Sequence, residues 1–294
     1  MPHLMSKMRH GVIAICCAAA LLIVFALLNN SSLWPARSAS IFTEQFDRAF
    51  LLGTTWMIEH PEEKNTALLY MIADMAEMSG DARLQEIVRR FMENPFISEN
   101  YIWRRVVDSQ WPTVRSPSRE ELDSYDEYQR WMVYGVAPDQ VQLTEQEHRD
   151  MFSPDKFWWG NRTHQLYALL FYRKHSLKTF AVDDLINHLS EGIANEANWD
   201  FRVTDLSIQR AAFILAAGRP DLIKRRWVER ILNNQQPDGG WILSWYGFGP
   251  RAFAVNFRSQ SSNSHATVQA AWVLYMLKYR YPDWLKNNYP DGHL

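Results

Sequence analysis

Residues 206–217 read LSIQRAAFILAA, a helix-length stretch with apolar side chains almost all the way round. A helix of that kind has no solvent face and must be surrounded by other helices. Residues 163–172, THQLYALLFY, and 266–277, ATVQAAWVLYML, repeat the pattern. Amphipathic stretches lie between them. Val182, Leu185, Ile186, Leu189 and Ile193 form one stripe; Leu222, Ile223, Trp227, Val228, Ile231 and Leu232 form another, opposite Lys224, Arg225, Glu229 and Arg230. The alternation of buried and amphipathic helices predicts helical hairpins in two concentric layers, either a closed α/α toroid or an open solenoid. Trp159, Trp199 and Trp241 precede the buried stretches at intervals of 40 and 42 residues, about one two-helix repeat.

Upstream, helices are expected near Thr43–Glu59, Lys64–Met78, Arg83–Glu93 and Arg119–Tyr134, the last opened by a Ser118/Glu121 capping box. Alternation of the strand kind is absent beyond a few residues, so the expected class is all-α. The N-terminus reads differently. Residues 11–28, GVIAICCAAALLIVFALL, are apolar and uncharged, just long enough for a hydrocarbon core of roughly 30 Å. Lys7 and Arg9 lie before the run and Arg37 is the nearest cation after it, which puts the N-terminus in the cytoplasm and the bulk in the periplasm or outside the cell. The expected layout is a tail over 1–10, a signal anchor over 11–28, a linker over 29–42 and one helical domain over 43–294.

Composition narrows the function. A net charge of −2 over 294 residues leaves no basic field for nucleic acid. The two cysteines, Cys16 and Cys17, both lie in the apolar run, so the domain has no thiol nucleophile and no cysteine-ligated metal. The 13 Trp, 12 Tyr and 15 Phe suit cores, interfaces and sugar grooves alike.

Residues 231–241 read ILNNQQPDGGW. This resembles the Gln-Trp repeat of the terpenoid cyclase and prenyltransferase superfamily of α/α toroids: Ile231 and Leu232 as the hydrophobic pair, Gln236 or Gln235 as the amide, Gly239 and Trp241 as the close. Residues 264–271, SHATVQAA, are also similar to inner-helix starts in such toroids. The resemblance covers roughly 155–281 and implies the fold; within the family the motif is structural. The chain lacks the family's Asp-x-Asp-Asp acid, since Asp183-Asp184 follows Ala181. It also lacks the cysteines that the zinc-binding and thioester members need. Polysaccharide lyases, glycoside hydrolases and non-catalytic binders remain among users of the fold.

In a toroid the inner-helix starts share one rim, where helix dipoles favour anions. His164, Asp205 and His265 fall at such starts, a set suited to acid–base chemistry, and each also fits a structural role: Asp205 as a helix cap, the histidines as satisfied core groups. Gln209 and Gln269 sit one turn inward and need polar partners. Before His164 the chain reads FWWGNR, so Trp158, Trp159 and Arg162 are candidates for the same rim or for core. An insertion at 244–264 brings Trp245, Tyr246, Arg258 and Asn263, a set suited to a glycan, or to closing the domain. A lyase would use His265 or Tyr246 as base and Arg258 as charge neutraliser. The sequence therefore predicts a membrane-anchored protein processing a glycan, without metal or cofactor, or alternatively a non-catalytic binder or assembly protein of a membrane complex.

Overall fold

The computed structural model describes residues 2–30, 38–61, 65–98, 101–112, 115–154, 161–176, 182–200, 203–242, 244–248, 253–255 and 261–290. Thirteen helices carry these residues: α1 (Pro2–Asn30), α2 (Ala39–Glu59), α3 (Thr66–Ser79), α4 (Ala82–Met92), α5 (Arg119–Asp123), α6 (Glu127–Val136), α7 (Glu145–Met151), α8 (Asn161–His175), α9 (Val182–Trp199), α10 (Asp205–Ala216), α11 (Arg225–Asn233), α12 (Ser264–Tyr275) and α13 (Pro282–Asn288). Short 3-10 turns lie at Ile102–Val106 and Pro220–Leu222, and a π turn, Met276–Arg280, extends α12.

The buried and amphipathic stretches fold as the pattern implies. The described side chains of α12 are buried from Ala266 to Tyr275, and α10 is buried from Ile208 to Leu215. α9 buries the stripe Val182, Ile186, Leu189 and Ile193. α12 lies between α3 and α10; α10 touches α8, α8 packs on α6, and the turn Ile102–Val106 bridges α6 to α3. Helices α2, α4, α9 and α11 lie against this circuit. Aromatic rings fill its middle. Tyr167 stacks on Phe213 with centroids 4.4 Å apart, and Tyr70 meets Phe171 and Trp272 edge-on at 5.1 and 6.0 Å. Trp272 Nε1 donates to Asp74 Oδ2 at 2.7 Å. Each such ring contributes about 2–3 kcal/mol by burial.

The 231–241 segment joins the two ends of the domain. Gln235 Nε2 donates to Ala49 O on α2 at 2.9 Å and to Gly239 O at 2.8 Å, while Gln236 Nε2 donates locally to Asn234 O. Trp241 is buried, donates from Nε1 to Ile231 O at 2.8 Å, and lies against Gly53. Gly239 has φ +91°, and a Cβ there would stand 2.6 Å from Leu52 O, so both backbone conformation and space require glycine. Phe42 stacks on Tyr289 with centroids 3.5 Å apart, closing α2 against the C-terminal end.

Several expectations are corrected. The helix expected over 119–134 is two, α5 and α6; Ser124 Oγ turns back to Glu121 O, and Gln129 accepts the Asp126 N–H to start a second helix. The Ser118/Glu121 box forms as expected. α2 includes Ala39–Phe42, which were expected in the linker. Trp199 is half exposed at the end of α9, so it does not share the packing of Trp241. Glu229 and Arg230, read as the polar face opposite the stripe of α11, are buried, and so is Arg226. The unforeseen α13 and the residue after it bond to this region: Tyr289 OH donates to Glu229 Oε1 at 2.8 Å and Trp284 Nε1 to Ile223 O at 3.2 Å. The insertion contains two strands, β2 (Ser244–Phe248) and β3 (Phe253–Val255), which with β1 (Val203–Thr204), before α10, form an antiparallel order β1-β2-β3, with Val203 opposite Trp245 and Tyr246 opposite Val255.

α1 contains the apolar run, and its side chains described from His10 to Val24 are all exposed. That described part is shorter than the expected 11–28 span, and among the described residues no helix is long and apolar enough to cross a membrane.

Candidate functional site

The starts of α3, α6, α8, α10 and α12 open on one cavity of about 510 Å³. Tyr167 and Phe213 belong to its buried floor, and Tyr101, Trp103, Tyr125 and Tyr128 to its partly exposed wall. Four of the expected residues line it: His164, Gln209, His265 and Gln269.

Helical spacing builds two polar rungs. Asp205 and Gln209 are one turn apart on α10; His265 and Gln269 are one turn apart on α12. Across the neighbouring helices, His265 Nδ1 stands 3.5 Å from Asp205 Oδ2, with both side chains about one-third exposed. Asp205 Oδ1 also accepts the Leu206 N–H at 2.8 Å. The carboxylate thus faces Nδ1 of the imidazole. Gln269 Nε2 lies 3.3 Å from Nδ1 and 3.2 Å from Nε2 of His265. Equal approach to both nitrogens puts the amide over the ring face rather than in line with either lone pair. Deeper in, Thr163 Oγ1 donates to Gln209 Oε1 at 2.8 Å. Gln269 is 1% exposed, and its Oε1 has no hydrogen-bond partner among the described residues. His164 lies 4.5 Å from the Tyr128 ring. Among the described residues no group of three His, Cys, Asp or Glu comes together in a way that could hold a metal, so His164 does not join the His265–Asp205 pair as a third ligand.

Other expected residues are placed elsewhere. Arg162 turns outward over Gly192 and pairs with Glu196 on α9 at 3.3 Å. The partly buried Glu196 carboxylate attracts it more strongly than an uncharged cavity would. Asn263 caps α12, its side chain accepting the Ala266 N–H at 3.0 Å, so its amide oxygen is engaged in structure. Trp245 and Tyr246 lie on β2, which pairs with β1 immediately before Asp205; the hairpin therefore stands at the same end of α10 as the cavity. Trp158, Trp159 and Arg258 lie outside the described residues.

The wall residues Tyr101, Trp103, Tyr125 and Tyr128 were missed. They belong to the N-terminal half, where no buried-amphipathic alternation was read. The capping signals at Ser118 and Asp126 mark helix starts, and helix starts mark this rim; Tyr128, just inside α6, was legible by that rule.

The cavity can bind a polar ligand with an apolar face, and His265 can accept a proton from it. The described lining contains no Asp, Glu, Lys or Arg. No known protein family, curated protein or solved structure matches the chain.

Proposed function

We propose that this chain is a membrane-anchored α/α-toroid protein that binds a glycan at the rim cavity. The observation carrying the reading is the union, at one end of α3, α6, α8, α10 and α12, of an aromatic wall with the buried amides of Gln209 and Gln269. Pyranose rings offer an apolar C–H face to aromatic rings and hydroxyls to amides, and this lining offers the complement of both. The circuit of helix neighbours and the Gln235–Trp241 joint support a toroid of the terpenoid cyclase and prenyltransferase kind. The apolar run at 11–28 supports the anchor, with Lys7 and Arg9 favouring a cytoplasmic N-terminus and an extracytoplasmic domain. A glycan array probed with the full chain in detergent tests the binding. No bound oligosaccharide would remove the proposal. Protease protection in sealed vesicles tests the anchor, with residues after 38 expected to be cleaved only from the outer side.

A catalytic reading is favoured by the His265–Asp205 pair. In it His265 Nε2 is a general base oriented by Asp205. The lyase form needs a cation at the sugar carboxylate. Arg162 is engaged by Glu196, which leaves that role to Arg258. His265→Gln separates the readings: an enzyme loses turnover while retaining binding, whereas a binder retains its full function. In a binder, Trp245→Ala or Tyr246→Ala removes affinity instead.

A further inference from the structure

We infer that the ligand of the rim is a linear chain of several sugars crossing the cavity, with Phe96 and Trp199 as stacking platforms on its two flanks; this rests on the glycan reading above and adds the length of the glycan.

Three aromatic side chains described after α1 are exposed: Phe96 at 95%, Trp199 at 49% and Tyr279 at 44%. Tyr279 lies past α12, at the end away from the rim. The other two stand at the rim end. α3 and α8 begin there. α4 follows α3 after the short connection Gly80-Asp81 and packs along it, so it ends where α3 began, and Phe96 lies just past that end. α9 packs on α8 and α10 and finishes at Trp199, shortly before α10 begins at the rim. The order of neighbours sets their sides. In the circuit α3–α12–α10–α8–α6, α4 lies outside α3, and α9 lies outside α8 and α10, across the circuit from α3. With neighbouring helix axes about 8–10 Å apart, the two rings stand roughly 30 Å from each other, with the cavity between them. A disaccharide cannot cover that span.

Phe96 is displayed by a fixed turn. Arg104 is buried and donates to Asn94 O and Ile97 O at 3.1 Å and to Ser98 O at 3.2 Å; its guanidinium lies 4.9 Å over Trp111. Asn94 Oδ1 accepts the Phe96 N–H at 2.9 Å. Burying a charge costs free energy, and here the buried charge holds the turn that carries an exposed ring. A platform fixed in advance loses little freedom when a ligand stacks on it. The chain after the turn supplies Tyr101 and Trp103 to the cavity wall. On the other flank, the chain after Trp199 leads through β1 to Asp205, beside His265. A sugar chain repeats, unit after unit, the C–H face that such rings cover. A bilayer is the poorer occupant. Phe42, near the start of α2, stacks on Tyr289, beyond the far end of α12, so the chain coming from the apolar run enters the domain at the end opposite the rim.

The test is calorimetric titration of the full chain in detergent with dimers, tetramers and octamers of β-linked glucose, N-acetylglucosamine and galacturonate. In the series that binds, affinity should rise from dimer to octamer. Phe96→Ala and Trp199→Ala should each weaken the octamer about tenfold and leave the dimer unchanged. Phe96→Tyr and Trp199→Phe keep a ring and should retain the octamer affinity, which separates a platform from a fold defect. An octamer that binds no better than the dimer overturns the crossing chain while the glycan reading stands. So does octamer affinity unchanged by either alanine substitution, or dimer affinity lost along with it. Binding of none of these oligomers, here and on the array, overturns both.

Discussion

Gln209 and Arg210 are consecutive on α10, and each is buried, yet they face opposite regions of the domain. Arg210 points toward α9. Its Nη1 donates to Asp200 Oδ2 at 2.7 Å and its Nη2 to Glu196 Oε2 at 3.4 Å, while Arg162 joins Glu196 from α8. Arg230 adds a further cation near Asp200. Burial pushes its guanidinium down to about 10, against the pull of Asp200. A gap of about 20 Å³ among these groups holds at most about one water. On the other side, Gln209 and Gln269 line a cavity some twenty-five times larger, with one acceptor unanswered. One helix thus carries a closed region dense in opposite charges and an open one whose described lining is uncharged. The closed region fastens layers together.

The largest expected effect breaks the closed side. Asp200→Ala leaves Arg210 buried without its nearest carboxylate, and should cost about 3–5 kcal/mol of unfolding free energy by denaturant titration. Gly239→Ala strains the joint to α2 instead. A side chain at φ +91° pressed toward Leu52 O should cost about 2–3 kcal/mol in the same titration. The open side should respond differently. Gln269→Met removes an unanswered carbonyl and should leave stability within about 1 kcal/mol of the unsubstituted chain. A cost near that of Asp200→Ala would mean that the two regions are alike.

An effect confined to acid concerns His175 at the far end of α8. Burial, then the nearby Lys174 and Arg105, hold its imidazole down at about 4 from an ordinary 6.5. The unfolded chain therefore takes up a proton below 6.5 that the folded chain refuses until about 4. Stability should fall with decreasing pH across that window, and His175→Gln should flatten the decline there. A slope unchanged by the substitution would assign the acid sensitivity to other groups.

The layers were legible because a buried helix leaves an all-round apolar record, as at 206–217, and a covering helix leaves a stripe, as at 182–193. The rungs were legible for a related reason: an Asp or His at a helix start, with a Gln four residues on, shares its face. What the sequence did not disclose depended on partners distant along the chain. Nothing near Arg162 distinguishes a cavity wall from a pair with Glu196. Glu229 looks solvated until Tyr289 reaches it, and Arg230 until Asp200 is brought near. The paired strands at 244–248 and 253–255 depend on β1, well before them in the chain, and the aromatic wall depends on which turns the topology brings to one rim.

The joint at 231–241 also bears on how the chain can fold. Ala49 waits for Gln235 across a separation of 186 residues, Thr54 for Tyr275 across 221, and Phe42 for Tyr289 at the very end. The first helix of the domain is thus completed by helices synthesised long after it. Until then its apolar face has no native cover, and long loops must close before those contacts reward the closure. Folding should therefore be slow and governed by distant pairings, with α2 as the element most exposed to mispairing while the chain is still emerging.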